Sequence, residues 1–276
     1  MLNQIKVVIF FNSERGLKVL SHIKKKTKIQ NIFIAKKNLK DQFLKKLRKK
    51  KINLSIIKSL KEPKILKALR ASDLGIVCGF PYIFKKKLLK SSKFGLINCH
   101  AGMLPKYRGG SPLNWQIIND ENFFGLSVIK IDEKIDTGEI IEEKRIKLLK
   151  KYNIKDLHKI ANDKFPKMVE NSILKLINNV KNTKQSKKNS NYFKQRNPQD
   201  SEINFKKMSM NEIKLYLRAL QAPYPEPYFI YDKKKIIIKK IFKTNKKINS
   251  NEITKINKYF YVKCKDAKLK IDCNFN

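Results

Sequence analysis

The chain has 276 residues, room for one large domain or two ordinary ones of about 150 residues. Hydrophobic residues make up 41% and aromatics 10%, enough for a real core and too much for a disordered tail. Lys and Arg number 64 against 23 Asp and Glu, a formal net charge of +41. Such a surplus suits anions: RNA, a nucleotide, a polyglutamylated cofactor or an acidic membrane. The lysines are scattered, however, and Lys, Ile and Asn are all over-used, as an A- and T-rich genome dictates. Charge alone therefore names no partner.

From the N-terminus, Ile5-Lys6-Val7-Val8-Ile9-Phe10-Phe11 is a β-branched and aromatic run suited to a strand buried on both faces. It is too short for a signal peptide, and no small-residue cleavage site follows it. Asn12-Ser13-Glu14 reads as a turn, and Leu17, Val19, Leu20 and Ile23 among lysines as an amphipathic helix. The pattern recurs with Ile32-Phe33-Ile34-Ala35 as strand, then Phe43, Leu44 and Leu47 on a lysine-rich helix. Ile52 to Ile57 and Leu74-Gly75-Ile76-Val77-Cys78 are a third and a fourth strand. Strands alternating with helices predict an α/β fold: a Rossmann-like, mostly parallel sheet with helices on both faces, holding ligands at its strand ends. The first turn carries only Gly16. With neither GxGxxG nor GxxxxGK[ST], a nicotinamide or ATP enzyme is disfavoured.

Lys181 to Lys194 is rich in Lys, Asn and Ser, a linker by composition. Beyond it come a helix around Met210–Leu220 and a turn broken by Pro223, Pro225 and Pro227. Short strands follow at Tyr228–Tyr231, Lys235–Ile241, Tyr259–Cys264 and Leu269–Ile271. They predict a small C-terminal β-barrel-like, OB-like domain, and a division into 1–180, a linker 181–194 and 195–276. No run approaches the roughly 20 apolar residues of a membrane span. Cys78, Cys99, Cys264 and Cys273 lack CxxC spacing, and His22, His100 and His158 lie far apart, so no metal site is expected. The expectation is a reduced, cytoplasmic protein.

Chemistry concentrates between Gly95 and Ile141. Asn98 and His100 stand two apart at the end of an apolar strand, so their side chains leave on one face. An amide donor and an imidazole converging there suit acyl transfer, where an oxyanion develops. Gly102, Pro105, Gly109, Gly110 and Pro112 follow in a turn that lets backbone approach a ligand. Asp136, in Ile135-Asp136-Thr137-Gly138, is placed to orient His100 and collect protons. Each piece alone has a plainer reading. A histidine at a strand end is commonly structural, Asp-Thr-Gly is a generic turn, and Lys106 with Arg108 makes a solvated face. Asp-Thr-Gly is also the aspartic-protease triplet, which a strand–helix alternation without a second copy does not fit.

Together, Asn98-x-His100, Leu104-Pro105-Lys106-Tyr107-Arg108-Gly109 and Asp136-Thr137-Gly138 closely resemble the formyltransferases that use 10-formyltetrahydrofolate. Members of that family act on methionyl-tRNA, glycinamide ribonucleotide or nucleotide-linked amino sugars. The run from Gln195 through Asn197-Pro198-Gln199-Asp200-Ser201 to Phe205, then Leu217-Arg218-Ala219-Leu220 with Pro223-Tyr224-Pro225, resembles the C-terminal part of the tRNA and sugar branches. The resemblance implies Asn98, His100 and Asp136 as catalytic residues. It implies a folate site at Val77, Cys78, Gly79, Phe80, Leu104, Pro105, Lys106, Tyr107, Ile131 and Asp132. Lys106 and Arg108, with Asn12 and Arg15 of the first turn, are assigned to the amine acceptor.

The tRNA enzymes carry a long basic insertion after the second strand, whereas this chain runs from Ala35 through Lys36-Lys37-Asn38-Leu39-Lys40 straight into a helix. The first turn lacks the family's Gly-Thr-Pro, and the region after Asp200 is short for a full tRNA-binding barrel. These departures favour a nucleotide-linked amino sugar as acceptor. The +41 charge favours methionyl-tRNA instead. A non-catalytic RNA-binding module on the same scaffold is the remote alternative, and a homodimer is an assembly open to the chain.

Overall fold

Strand β1 (Lys6–Phe11) has every residue from Val7 to Phe11 fully buried, as its unbroken apolar run requires. The structure is a computed structural model describing residues 2–222, 224–248 and 252–274. Pro223, expected in the proline-broken turn, lies outside the described residues. After β1 come α1 (Glu14–Ile23), β2 (Lys28–Ala35), α2 (Asp41–Lys49), β3 (Ser55–Ile57), α3 (Pro63–Arg70), β4 (Leu74–Cys78), α4 (Lys86–Leu89) and β5 (Leu96–His100). The two-residue strand β6 (Arg108–Gly109), α5 (Pro112–Ile118), β7 (Phe123–Lys130), β8 (Ile140–Lys147) and α6 (Ile154–Ile177) follow. The remaining elements are β9 (Tyr192–Phe193), α7 (Met210–Ala219), β10 (Tyr228–Tyr231), β11 (Lys234–Lys243), β12 (Thr254–Ile256), β13 (Tyr259–Lys263) and β14 (Lys268–Asn274).

Two compact units result. One comprises Met1–Gly109, Gly125–Ile146 and Lys159–Tyr192; the other Gly110–Phe124, Lys147–His158 and Phe193–Asn276. The first holds a seven-stranded sheet in the order β3-β2-β1-β4-β5-β7-β8. Strands β1 to β5 pair in parallel, and β7 lies antiparallel to β5. The expected Rossmann-like sheet is present, and the order reverses between β1 and β4. Such a reversal opens a crevice at the strands' carboxyl ends. Asn12, Gly79 and His100 stand at those ends. Helix α1 starts with Ser13 accepting from Gly16 N, and turns Leu17, Val19, Leu20 and Ile23 into the core.

In the second unit the barrel-like expectation is realised as an open five-stranded antiparallel sheet, β10-β11-β14-β13-β12. Ile213, Phe229, Phe260, Leu269 and Ile271 form its core. The motif around Gln195–Ser201 earns its form from local chemistry. Asn197 and Asp200 make a reciprocal capping box, while the Arg196 guanidinium lies 4.9 Å from the Trp115 ring and 5.4 Å from Tyr216. Arg218 donates to the Tyr152 and Leu149 carbonyls at 3.1 and 3.2 Å. Among the described residues no helix is long and apolar enough to cross a membrane.

In the first unit α6 is tied to α1 by Glu170, a buried carboxylate that meets His22 at 2.7 Å, Lys26 at 2.8 Å and Lys167 at 3.1 Å. Burial pushes its pKa up, but the three partners outweigh it and bring it from 4.5 to about 2. A depressed carboxylate stabilises the fold above its unfolded pKa, and that stability is lost as pH falls through the folded value. The melting-temperature gap between wild type and Glu170→Gln should therefore be full above pH 5 and shrink between pH 4.5 and 2. A gap independent of pH in thermal melts would contradict this.

Candidate functional site

Period-two alternation along β5 sends Ile97 and Cys99 one way, Asn98 and His100 the other. His100 is 5% exposed, and its Nε2 lies 2.6 Å from the Tyr107 carbonyl oxygen. A carbonyl only accepts, so Nε2 carries a proton and donates it there. The other ring nitrogen, Nδ1, faces Asp136 Oδ2 at 3.4 Å. Asn98 Nδ2 donates to Asp136 Oδ1 at 3.5 Å. The three residues expected to act together are thus brought together, with Asp136 38 positions beyond Asn98 and 36 beyond His100 in the chain.

Asp136 sits in a left-handed conformation, φ +54°, unusual for a residue with a side chain. Gly109 N donates to its Oδ2 at 2.9 Å. Two residues on, a Cβ at Gly138 would stand 1.8 Å from the Lys130 carbonyl, so only glycine closes this turn. Asp132 accepts from the Thr137 hydroxyl at 2.7 Å and from Lys134 N at 3.2 Å. From the far side Gln185 donates to the Asp136 and Gly138 carbonyls at 2.9 and 2.7 Å, and accepts from Arg108 Nε and Nη2.

A cavity of about 170 Å³ opens beside the constellation. Val77, Phe80, Ile131 and Asp132 line it together with Asn98 and Asp136. Tyr82, Ile83, Phe84 and Ile129 do so as well, and were not anticipated. The signal was present: Phe80 to Phe84 is an aromatic run beyond a strand end, and Ile83 is 60% exposed. Phe80 packs against Phe10, Tyr82 and Phe84 with centroids 5.5 to 6.0 Å apart. Other expected residues serve the frame. Leu104 and Tyr107 are buried, Pro105 follows a cis peptide bond, and Lys106 Nζ lies 5.7 Å over the Tyr107 ring. Cys78 is buried with its Sγ 3.3 Å from Cys99, and burial first, then that neighbour, pushes its pKa well up. Gly79 is exposed in the left-handed region, φ +60°. Both amide hydrogens of Asn12 go to the Ala35 and Lys37 carbonyls, and Arg15 lies 4.9 Å over the Phe165 ring. Among the described residues no group of three His, Cys, Asp or Glu is placed to hold a metal ion.

Residues 3–173 match the family described as formyl transferase, and residues 196–273 match its C-terminal domain. The chain belongs to the formyl transferase family. It is 35% identical over 206 residues to the bifunctional polymyxin resistance protein ArnA of Wigglesworthia glossinidia brevipalpis, covering 71% of this chain and 30% of that protein. It is 31% identical over 189 residues to a methionyl-tRNA formyltransferase of Prochlorococcus marinus, covering 65% and 56%. The match thus spans only 30% and 56% of these curated relatives' own length. Among solved structures, the N-formyltransferase of Helicobacter canadensis, in complex with folinic acid and dTDP-3-aminofucose, matches with a TM-score of 0.71 at 24% identity, over 99% of this chain and 100% of that one. The sugar 3N-formyl transferase WlaRD, solved with dTDP and 5-N-formyl-THF, gives 0.69 at 24% identity over 99% and 98%. These two likenesses show a shared fold.

His100 packs so closely that a Cβ at Gly102 would stand 2.5 Å from its Nε2 and 2.6 Å from the Tyr107 carbonyl. Gly102→Ala should displace the imidazole and lower stability by about 1–3 kcal/mol, the usual cost of overpacking. In ¹⁵N spectra the Nε2 resonance of His100 should lose its hydrogen-bonded shift. An unchanged resonance would show that the ring does not depend on this contact.

Proposed function

We propose that the chain transfers the formyl group of 10-formyltetrahydrofolate to a primary amine, and that the amine belongs to a nucleotide-linked amino sugar. The observation that carries the chemistry is the Asn98–His100–Asp136 constellation opening on an aromatic-walled recess in a member of the formyl transferase family. The recess, at about 170 Å³, suits one flat bicyclic ring. Val77, Phe80, Ile131 and Asp132 would hold the pterin, with the backbone of Cys78–Gly79 and the Leu104–Tyr107 turn beside it. The folate supplies an activated formyl carbon.

Asn98 lines the recess, and its Nδ2 would be the donor for the charge that develops on the formyl oxygen. Asp136 lines the same recess, its Oδ2 already held by Gly109 N and facing His100 Nδ1. Oδ1, 3.5 Å from Asn98 Nδ2, would take the proton that the amine loses as its bond to the formyl carbon forms, and that proton would go to the tetrahydrofolate nitrogen as the formyl carbon's bond to it breaks. His100, locked by Tyr107, fixes where that proton is shared. In this reading the unit of Met1–Gly109, Gly125–Ile146 and Lys159–Tyr192, which includes most of the expected linker 181–194, carries the chemistry, and the unit containing 195–276 is accessory.

For the acceptor, two observations support a sugar. The solved structures holding dTDP or dTDP-3-aminofucose are matched along 98% and 100% of their length. The β2–α2 connection is short, Lys36 to Lys40, and Asn12 ties down its beginning at Ala35 and Lys37. Lys106, Arg108 and Arg15 are the groups assigned to the acceptor; Asn12, its amide committed to Ala35 and Lys37, serves the frame instead. Methionyl-tRNA is the second reading, favoured by the +41 charge and the curated relatives.

His100→Ala and Asn98→Ala should each lower kcat by about 10²-fold while the protein stays folded, the usual loss when one such group is removed. Near-normal turnover in both would defeat the site. Acceptors should be compared in competition at about 150 mM salt, where nonspecific attraction of polyanions is damped. The expected outcome is faster transfer to a dTDP- or UDP-linked amino sugar than to initiator methionyl-tRNA. Efficient formylation of the tRNA, with no turnover of a 3- or 4-amino sugar panel, would reverse the choice of acceptor.

A further inference from the structure

We infer that Gln185 is a positioning residue for formyl transfer, one side-chain amide that fixes the left-handed turn carrying Asp136 and ties it to Arg108. The inference rests on the catalytic assignment of Asp136 proposed above. A glutamine amide has two N–H donors and two acceptor lone pairs. Gln185 uses all four. Nε2 donates to the Asp136 carbonyl at 2.9 Å and the Gly138 carbonyl at 2.7 Å, while Oε1 receives Arg108 Nε at 3.0 Å and Nη2 at 2.8 Å.

These bonds close a ring through three distant segments. Arg108 is the neighbour of Gly109, whose N–H holds the Asp136 carboxylate, and Gln185 holds the Asp136 backbone. The turn is therefore gripped from both ends of one residue. Asp136 needs that grip, because φ +54° is a conformation a side-chain-bearing residue leaves when nothing holds it. Leaving it would carry the carboxylate away from His100 Nδ1 and Asn98. The strand of chain that presents Gln185 is itself anchored. Thr183 exchanges two backbone hydrogen bonds with Ile140, at 2.8 and 2.9 Å, and Asn191 O receives Arg108 N at 3.1 Å.

The test compares wild type, Gln185→Glu, Gln185→Met, Asp136→Ala and the doubles, in turnover of 10-formyltetrahydrofolate with its best acceptor. Gln185→Glu keeps the acceptor side toward Arg108 and loses the donors for the two carbonyls. It should lower kcat about 10- to 100-fold, the scale of a small misplacement of a reacting group, and change KM for the folate little. Gln185→Met keeps the volume, should behave alike, and stands in should the glutamate variant fail to fold. In the Asp136→Ala background either change should cost almost nothing more, since the group being positioned is already gone. Wild-type kcat in a folded variant, a loss confined to KM, or losses that multiply in the doubles would each overturn the inference. A wild type inactive on 10-formyltetrahydrofolate would defeat the catalytic reading instead. An active wild type with a dead Asp136→Ala and unimpaired Gln185 variants would defeat this inference alone.

Discussion

One carboxylate in a left-handed turn is the constraint on which the site is built. Asp136 is nearly enclosed, 11% exposed on its side chain, and a charge so placed requires partners that are fixed rather than mobile. Gly109 N, Asn98 Nδ2 and His100 Nδ1 are those partners, at 2.9, 3.5 and 3.4 Å. Two of them come from β5 and the third from β6, so the sheet, the turn after β5 and the β7–β8 connection must all be in register before the carboxylate is satisfied. The demand explains why the surroundings tolerate so little volume: Gly102 against the imidazole and Gly138 against Lys130 leave no room for a methyl group.

The imidazole is the second half of the same device. With Nε2 donating to Tyr107, its remaining nitrogen points only toward Asp136. His100 is buried and does not line the recess, whereas Asn98 and Asp136 do. The geometry thus separates two tasks that the sequence motif presents together. In the function proposed above, Asn98 and Asp136 would meet the reacting atoms, while His100 stands behind Asp136, its Nδ1 3.4 Å from Oδ2. The +41 surface charge acts at another level, on encounter with anionic ligands, and its influence fades with salt as the buried contacts do not.

Much of this was legible in the sequence, for reasons that can be named. The apolar runs at Val7–Phe11 and Leu74–Cys78 have no polar face, which only a sheet covered on both sides explains. Asn98 and His100 share a face because strand periodicity is two. The strand expected from Ile52 begins only at Ser55, because α2 runs to Lys49 and Lys51 turns through positive φ. Strand β12 was missed, three residues whose lysine and threonine lack the usual apolar alternation. Gln185 was hidden for a different reason. It lies in a lysine-, asparagine- and serine-rich stretch whose composition says linker, and its three partner residues are 47 to 77 positions away. Asn12 gave a similar lesson, for a polar residue at a strand end reads the same whether it faces a ligand or ties down the next strand. Hydrogen bonds over such separations leave no local pattern.

The central claim is that the Asp136 charge, held against His100, enables formyl transfer, and Asp136→Asn tests it most directly. The amide keeps the size and, with its oxygen in the place of Oδ2, an acceptor for Gly109 N; it removes the negative charge beside His100 and puts N–H in the place of Oδ1, the oxygen assigned to take the amine's proton. In single-turnover assays with 10-formyltetrahydrofolate and the best acceptor, the account predicts a rate at least about 10²-fold below wild type, with folate binding and melting temperature nearly unchanged. A folded Asp136→Asn protein that transfers formyl at the wild-type rate would contradict it.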